Sequence, residues 1–443
     1  MFRFLAPLIL VALPCSVTYA QEIAIKLAES FDPANPYRVE LKTVLSGKLA
    51  VPASGIRPAS VIAVNGSSTI TYDERPLPSD EAKTLKAIRI YRDVEFQRKL
   101  GERDQKASIR TDVRRLVVLR SSQGKKAPFS PDGPLTWNEI DIVRTDFFSM
   151  ALVPGILPKN LVKPGDKWTV AAAGLTELSD LDPIEEGQLT VEFLSIVAVN
   201  QKKLAKLGIN GTIKGANEDG PNRQKLDGIA YFDLDASQLS YLKLNGIHEL
   251  LTPEGKVSGR LEGTILLTRQ PSKKFIELTD QSLRGISLKP NSENSLLLYD
   301  NEELGVRFLY PRRWRVGVVQ GKQIALEEPQ GGGILITLEA TASTPSVIQY
   351  QTEVVKYLKT QKANILKLGE ARRIAENPCR IEGFAMEAEL ASGKVHMEYA
   401  VVSNTNGGAT IAARLPLADA KNLVPDVARI LKDFAITHKI DKK

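Results

Sequence analysis

From residue 36 to about 270 the apolar and polar positions alternate, the pattern of strands with one buried face. In "KVSGRLEGTILL", Val257, Gly259, Leu261, Gly263 and Ile265 share one face, while Lys256, Ser258, Arg260, Glu262 and Thr264 share the other. "RVELKTVLSG", "LTVEFLSIVAV" and "IAYFDLDASQLSYLKL" repeat the pattern. Asn-Gly pairs stand at Asn65-Gly66, Asn210-Gly211 and Asn245-Gly246. Asn-Gly suits the two positive-φ positions of a tight hairpin, so a turn between antiparallel neighbours is expected at each. Residues 86–119 are rich in charge, yet the spacing of Ile88, Ile90, Val94 and Phe96 predicts a long strand. A turn near Gly101 to Gln105 and a return strand through Leu116 to Leu119 should follow. Prolines at 131, 134, 154, 158 and 164 predict extended or turn geometry in the middle of the region.

Residues 271–296 lose the alternation and gather Pro, Ser, Asn and Lys, which marks a connection between domains. Beyond it the period changes. Strands are expected at 306–309, 314–319, 324–327 and 334–340, then a helix in "STPSVIQYQTEVVKYLKTQ". Ser343 or Thr344 can cap that helix, with Pro345 in its first turn and Val347, Gln351, Val354 and Leu358 on its mainly apolar face. Four more strands are expected at 365–375, 380–390, 394–403 and 409–415. Val427, Ile430, Leu431 and Phe434 suit a closing amphipathic helix. The reading is thus 1–20 signal peptide, 21–275 antiparallel β domain (sandwich or half-barrel), 276–296 linker and 297–443 α+β domain.

The first twenty residues change the compartment. Arg3, an apolar run from Phe4 to Leu13 and the exit Thr18-Tyr19-Ala20 make a secretory signal pattern, with cleavage expected before Gln21. That run is shorter than the ~20 residues that span a bilayer, and no other segment is apolar enough for a transmembrane helix. Cys15 offers a lipoprotein alternative, against which Pro14 stands. After cleavage only Cys379 remains, so an intramolecular disulfide is excluded and a buried thiol is expected. With 43% hydrophobic residues the chain can build real cores. A formal charge of +7 over 443 residues is mild, permits contact with anionic surfaces and calls for no nucleic-acid partner.

Little else suggests chemistry. His248 and His396 sit in alternating strands and His438 in the basic tail, without metal-ligand spacing to one another or to Cys379. Asp233 with Asp235, and Glu218 with Asp219, lack the spacing of a calcium loop and read as turn or strand-face residues. Nucleophile-elbow, phosphate-loop and dinucleotide fingerprints are missing from the sequence. We therefore expect no enzyme activity and no cofactor. The basic positions are Arg114-Arg115, Lys125-Lys126 and Arg312-Arg313-Trp314-Arg315. In the last, alternation turns Trp314 inward and Arg313 and Arg315 outward, with Arg312 at the corner. Arg312, Arg313 and Arg315 are the candidate partner-binding residues, although charge on an edge strand also serves to prevent aggregation.

Two resemblances bear on this reading. Phe129-Ser-Pro-Asp-Gly-Pro-Leu-Thr136, Leu157-Pro158 and Val162-Lys-Pro-Gly-Asp-Lys-Trp168 resemble a family of uncharacterised exported bacterial proteins, over about residues 80 to 270. That resemblance implies one continuous β domain and no known activity. "LGVRFLYPRRWRV" and Arg429-Ile-Leu-Lys-Asp-Phe434 resemble the entry hairpin and closing helix of the PsbP-like fold. This second resemblance implies a sheet flanked by helices in a small noncatalytic adaptor module. Two functions follow as expectations. One is an exported binding or scaffolding protein that docks a protein partner through its C-terminal domain. The other is a periplasmic carrier that holds a lipid or other hydrophobic ligand in a β half-barrel, the export signal by itself implying a periplasmic or extracellular location.

Overall fold

The computed structural model describes residues 24–51, 60–79, 81, 84–120, 126–217, 220–272 and 275–440. The expected signal peptide with Cys15, and also Lys125, Glu218 and Asp219, lie outside the described residues.

The alternating region forms one 12-stranded sheet. Strands β1 (Tyr37–Val51), β2 (Ser60–Leu77), β3 (Leu85–Leu100), β4 (Arg103–Ala107), β5 (Arg115–Arg120) and β6 (Lys126–Phe129) make one wing. After the two-residue β7 (Leu135–Thr136), which pairs elsewhere, the other wing comprises β8 (Lys167–Thr169), β9 (Ile184–Val199), β10 (Lys202–Asn217), β11 (Gly220–Asp233), β12 (Gln238–Leu251) and β13 (Val257–Pro271). Strand β1 pairs with β13 and joins the wings, giving the order β6-β5-β3-β2-β1-β13-β12-β11-β10-β9-β8, with β4 beside β3. Each long strand buries alternate residues, as Val39 and Leu41 show in β1 and Leu242 and Leu244 in β12.

Three helices join the wings: α1 (Trp137–Thr145), α2 (Ser149–Ile156) and α3 (Ala172–Ser179). Their apolar residues, among them Ile142, Val143, Phe148, Leu152 and Leu178, form a single core with inward residues of both wings, such as Ile70, Tyr72, Leu207 and Leu242. A sheet whose two wings touch the same three helices is curved around them. Pro131, Pro134, Pro158 and Pro164 lie in turns or irregular segments outside the helices, as expected, and of the five only Pro154 is helical, while the sequence also carries the start signal of α1. Thr136-x-x-Glu139 is a capping box in which Glu139 N–H donates to Thr136 and Thr136 N–H donates to Glu139. Pro154 lies inside α2, which is short enough that the missing amide removes little of its ladder.

The three Asn-Gly pairs are not turns. They lie inside β2, β10 and β12, and their glycines fall in one row across the sheet. That row runs Arg98, Gly66, Leu45, Gly263, Gly246, Leu226 and Gly211, each paired with the next on the adjacent strand. At Gly211, though not at Gly66 or Gly246, the reason is the close approach of neighbouring backbone. A Cβ on Gly211 would lie 2.2 Å from the Gln188 carbonyl oxygen, and one on Gly47, a row further out, 2.1 Å from that of Arg260. Tightly coiled strands bring neighbouring backbone where a side chain would start, and glycine admits it. The turn expected near Gly101 is confined to two residues, with Arg103–Ala107 already paired as β4.

Residues 275–283 cover the outer face of the first wing. Leu278 and Leu283, the latter in α4 (Asp280–Leu283), pack with Leu77, Ile88, Val117 and Phe129. Arg75 donates to the Leu278 carbonyl at 2.7 Å. This is why β3 is buried on both faces from Ala87 to Tyr91.

Beyond residue 296 come β14 (Leu297–Asn301), β15 (Val306–Tyr310), β16 (Arg315–Gln320), β17 (Gln323–Glu327), β18 (Gly333–Glu339), β19 (Asn364–Leu368), β20 (Arg372–Ala375), β21 (Arg380–Leu390), β22 (Gly393–Asn404), β23 (Gly407–Pro416) and β24 (Ala435–Ile436). The helices are α5 (Val347–Thr360) and α6 (Ala420–Lys432). Strands β16 to β23 make an eight-stranded sheet held between α5 on one face and α6 on the other. The cap of α5 is Ser346 with Gln349, two residues after Thr344 and three after Ser343, so Pro345 precedes the helix instead of standing in its first turn, and Val347, Val354 and Leu358 are its buried residues. A second sheet has the order β24-β15-β14-β7. Its parallel pairing of Leu297 with Leu135 draws a strand of the first region into the second, and one apolar cluster runs through both.

Candidate functional site

The helices fill the concave side only in part. A cavity of about 620 Å³ remains between α1, α3 and the far ends of β3, β4, β10, β12 and β13. Phe96, Ala107, Ile142, Phe147, Leu178 and Ile265 supply apolar walls. Polar groups come from both sides: Arg98 and His248 from the sheet, and Asp141, Arg144, Asp180 and Asp182 from the helices and the segment after α3.

Beneath the cavity lies a buried charge network that neither charge nor motif searching picks out. Arg89 is fully buried and stands between Glu74, Asp146 at 2.7 Å, the Tyr91 hydroxyl at 3.2 Å and the Phe147 carbonyl at 3.1 Å. Tyr91 donates to the other Asp146 oxygen at 2.7 Å. Glu177 of α3 is 3.1 Å from both Arg120 and Lys126 and accepts the Phe148 amide at 2.6 Å. Burial works against the Arg89 charge, and Asp146 and Glu74 more than offset it, holding the guanidinium well above its ordinary value. Burial pushes the Asp146 carboxyl up, while Arg89, Lys126 and Tyr91 pull it back. A second buried arginine, Arg269, pairs with Glu29 at 2.7 Å and lies 4.1 Å from the Tyr37 ring centre. Each charge has a partner within the protein, so the network fastens the helices to the sheet at Asp146 and Glu177. The alternation carried the signal for it, since Arg89 stands in register with Ala87 and Tyr91 on the inward face.

His248 projects from β12 over a glycine: a Cβ on Gly246 would lie 2.8 Å from its Nε2. Burial pushes its imidazole below the ordinary value, favouring the neutral ring. His396 is 2.8 Å from Glu398 in β22, and His438 is next to Thr437 with its Nδ1 3.0 Å from the Thr437 hydroxyl. Asp233 ends β11, accepting Ala236 N–H at 2.9 Å and pairing with Lys202 at 2.9 Å. Asp235 donates its amide to Asp233 at 3.1 Å. Cys379 is 1% exposed, and burial raises its thiol.

The three candidate arginines do not converge. Arg312 turns inward and donates to the Ser295 carbonyl at 2.7 Å, and burial lowers it to about 10. Arg313 pairs with Asp426 of α6 at 2.8 Å. Arg315 approaches the Trp137 ring to 5.8 Å and lines a second cavity of about 600 Å³ with Tyr299, Tyr310 and Val319. Trp314 faces the core as alternation predicts, with its indole N–H donating to Asp426 at 2.8 Å. Arg114 pairs with Glu277 at 2.8 Å and Arg115 with Asp132 at 2.9 Å.

No family model matches the chain, and no curated protein does. Among solved structures, the cyanobacterial PsbP (CyanoP) of Synechocystis sp. PCC 6803 is similar over 32% of this chain and 92% of its own, at 14% identity and a TM-score of 0.27. The Ran-binding protein Mog1p of Saccharomyces cerevisiae aligns over 32% of this chain and 96% of its own, at 11% identity and a TM-score of 0.24. Lipovitellin, from a study of its lipid–protein interactions, aligns over 55% of this chain and 26% of its own, at 11% identity and a TM-score of 0.33.

Proposed function

We propose that this protein is an exported, noncatalytic binding protein whose β region holds an apolar or amphipathic ligand. The observation that carries the reading is the cavity of about 620 Å³ between a curved sheet and its helices, with Phe96, Phe147, Leu178 and Ile265 in its walls. A volume of about 300–1,000 Å³ suits a small molecule, and the joining of these apolar walls to a larger set of polar and charged groups suits an amphipathic one. A noncatalytic role fits the chemistry of the floor, where Arg89, Glu74, Asp146, Glu177 and Lys126 are spent on one another. The test is native mass spectrometry of protein purified from its own host. A copurifying small molecule that Ile265→Asp abolishes, in a variant that stays folded, supports the reading. Ligand-free protein that also ignores apolar probes defeats it. Sequencing of the mature N-terminus tests export, with Gln21 as the expected first residue.

A protein partner for the C-terminal region is the second reading. It is favoured by the cleft in which Arg315 stands near Trp137, beside the edge strand β16. Loss of a captured partner on Arg315→Ser, with the fold intact, would support it.

A further inference from the structure

The wall of the cavity continues into an apolar surface on the concave face. Along β1, β2, β12 and β13 the inward positions beyond the helices are Leu45, Leu49, Ile62, Leu250 and Leu261, all half-buried and all outside the main apolar cluster. Strand pairing makes them neighbours: Leu45 opposes Gly263, Leu49 opposes both Ile62 and Gly259, and Leu250 opposes Gly259. Ile265, two positions from Gly263 on the same face, belongs to the cavity itself. From Ile265 to Gly259 is six residues, or roughly 20 Å at about 3.3 Å per residue. The surface is therefore long and narrow, and it opens directly from the cavity.

One charge interrupts it. Arg98 lies on the inward face of β3, lines the cavity, and holds its guanidinium 5.2 Å from the Phe96 ring centre. Among the described residues it has no ion pair or hydrogen bond, unlike Arg89, Arg120 and Lys126 below it. Its neighbour on β2 is Gly66, where an added Cβ would have no atom closer than 3.6 Å, so the glycine leaves room beside the arginine. A cation on an apolar concave face, without a carboxylate of its own, recognises an anion carried on an apolar body.

We propose, resting on the binding reading above, that the ligand is an anionic amphiphile with a straight acyl chain. Its head group pairs with Arg98 and its chain runs from Ile265 past Leu45 and Leu261 toward Leu49. Asp141, Asp146, Glu177, Asp180 and Asp182 border the same cavity from the helix side. Asp146 and Glu177 are paired, Asp141 and Asp180 are engaged within the protein, and Asp182 is exposed to solvent, so the head group is drawn to the sheet side of the cavity.

The test is displacement of a fluorescent apolar probe from the full-length protein by saturated fatty acids of 8 to 16 carbons (about the chain lengths the surface holds), with alkyl phosphates, alcohols and trimethylammonium salts of matched length. Affinity should rise about fourfold for each added methylene until the surface is filled. Both anions should outbind the alcohol about tenfold, and Arg98→Gln should remove that advantage while keeping the dependence on length. Arg98→Lys should restore much of it. A preference between carboxylate and phosphate identifies the head group. Probe binding without dependence on chain length overturns the acyl assignment but leaves the binding reading standing. Preference for the cationic amphiphile overturns the role of Arg98. Failure to bind the probe at all removes both.

Discussion

Leu135 pairs in parallel with Leu297, so the backbone that leads into α1 is a strand of the sheet beyond residue 296. Leu135 is fully buried, and Thr136, its neighbour, caps α1. A change here should be felt on both sides of the pairing. Leu135→Asp places an unpaired carboxylate in the core and should cost about 3–5 kcal/mol. Denaturant unfolding followed by hydrogen exchange in β14 and in α1 should show both elements destabilised together. Exchange that changes in α1 alone would mean that the pairing transmits nothing.

The Arg89–Asp146 pair makes a sharper prediction about how the helices are held. Asp146→Ala removes one of the two carboxylates of a fully buried arginine and should destabilise by about 3–5 kcal/mol. Arg89→Met combined with Asp146→Leu and Glu74→Gln removes the charges together and should cost much less than the sum of the single changes. Chemical denaturation of the single and combined variants gives the comparison. Additive losses would mean that the three groups do not act as one network.

What could be read in the sequence divides along one physical line. Alternation found the long strands, because burial of one face fixes every second residue whatever the tertiary context. It also placed Trp314 inward. The Asn-Gly pairs misled because the same residue serves two demands. Glycine permits the positive φ of a hairpin, and it also permits the close strand approach that a coiled sheet needs at Gly211. Local chemistry could not say which demand applied, since curvature depends on neighbours that are distant in sequence. The helices between the wings were legible in Thr136-x-x-Glu139 but were outweighed by five prolines. Arg312, Arg313 and Arg315 drew notice as a cluster, yet in space they separate to Ser295, Asp426 and Trp137. Arg98 drew none, because its meaning depends on Gly66 beside it and on the cavity in front.

His248 gives a pH dependence whose sign follows from its burial. Its folded-state pKa is lowered, so the unfolded chain takes up a proton before the folded protein does. The contribution to stability is complete above the unfolded value of about 6.5 and is lost as pH falls below it toward the folded value. The charged groups that border the same cavity are Arg98, Arg120, Lys126 and Arg144, with Asp141, Asp146, Glu177, Asp180 and Asp182. Urea midpoints measured from about pH 7.5 to 5.5 should fall for the wild-type protein. They should fall less for His248→Gln, which has no proton to gain. Parallel curves for the two proteins would assign the decline to other groups.

The glycine row supplies its own control. Gly211 and Gly66 occupy one row of the sheet and follow an asparagine in each case, so their local sequences are nearly equivalent. Their surroundings are not. A Cβ on Gly211 would lie 2.2 Å from the Gln188 carbonyl oxygen and 2.9 Å from the Leu189 Cα, both backbone atoms that can yield only if the strand moves. On Gly66 the nearest atom would be 3.6 Å away, an ordinary contact. Gly211→Ala should therefore cost about 1–3 kcal/mol through overpacking against backbone. Gly66→Ala should lie within about 1 kcal/mol of the wild type, and the restricted unfolded chain works in its favour. Thermal and denaturant unfolding of the two variants decide it. Equal losses would mean that the row is not where the sheet coils, and the curvature that shapes the cavity would need another origin. A tolerated Gly66→Ala has a second reading in ligand binding. The added methyl sits beside Arg98, so it should weaken anion capture more than it weakens the fold.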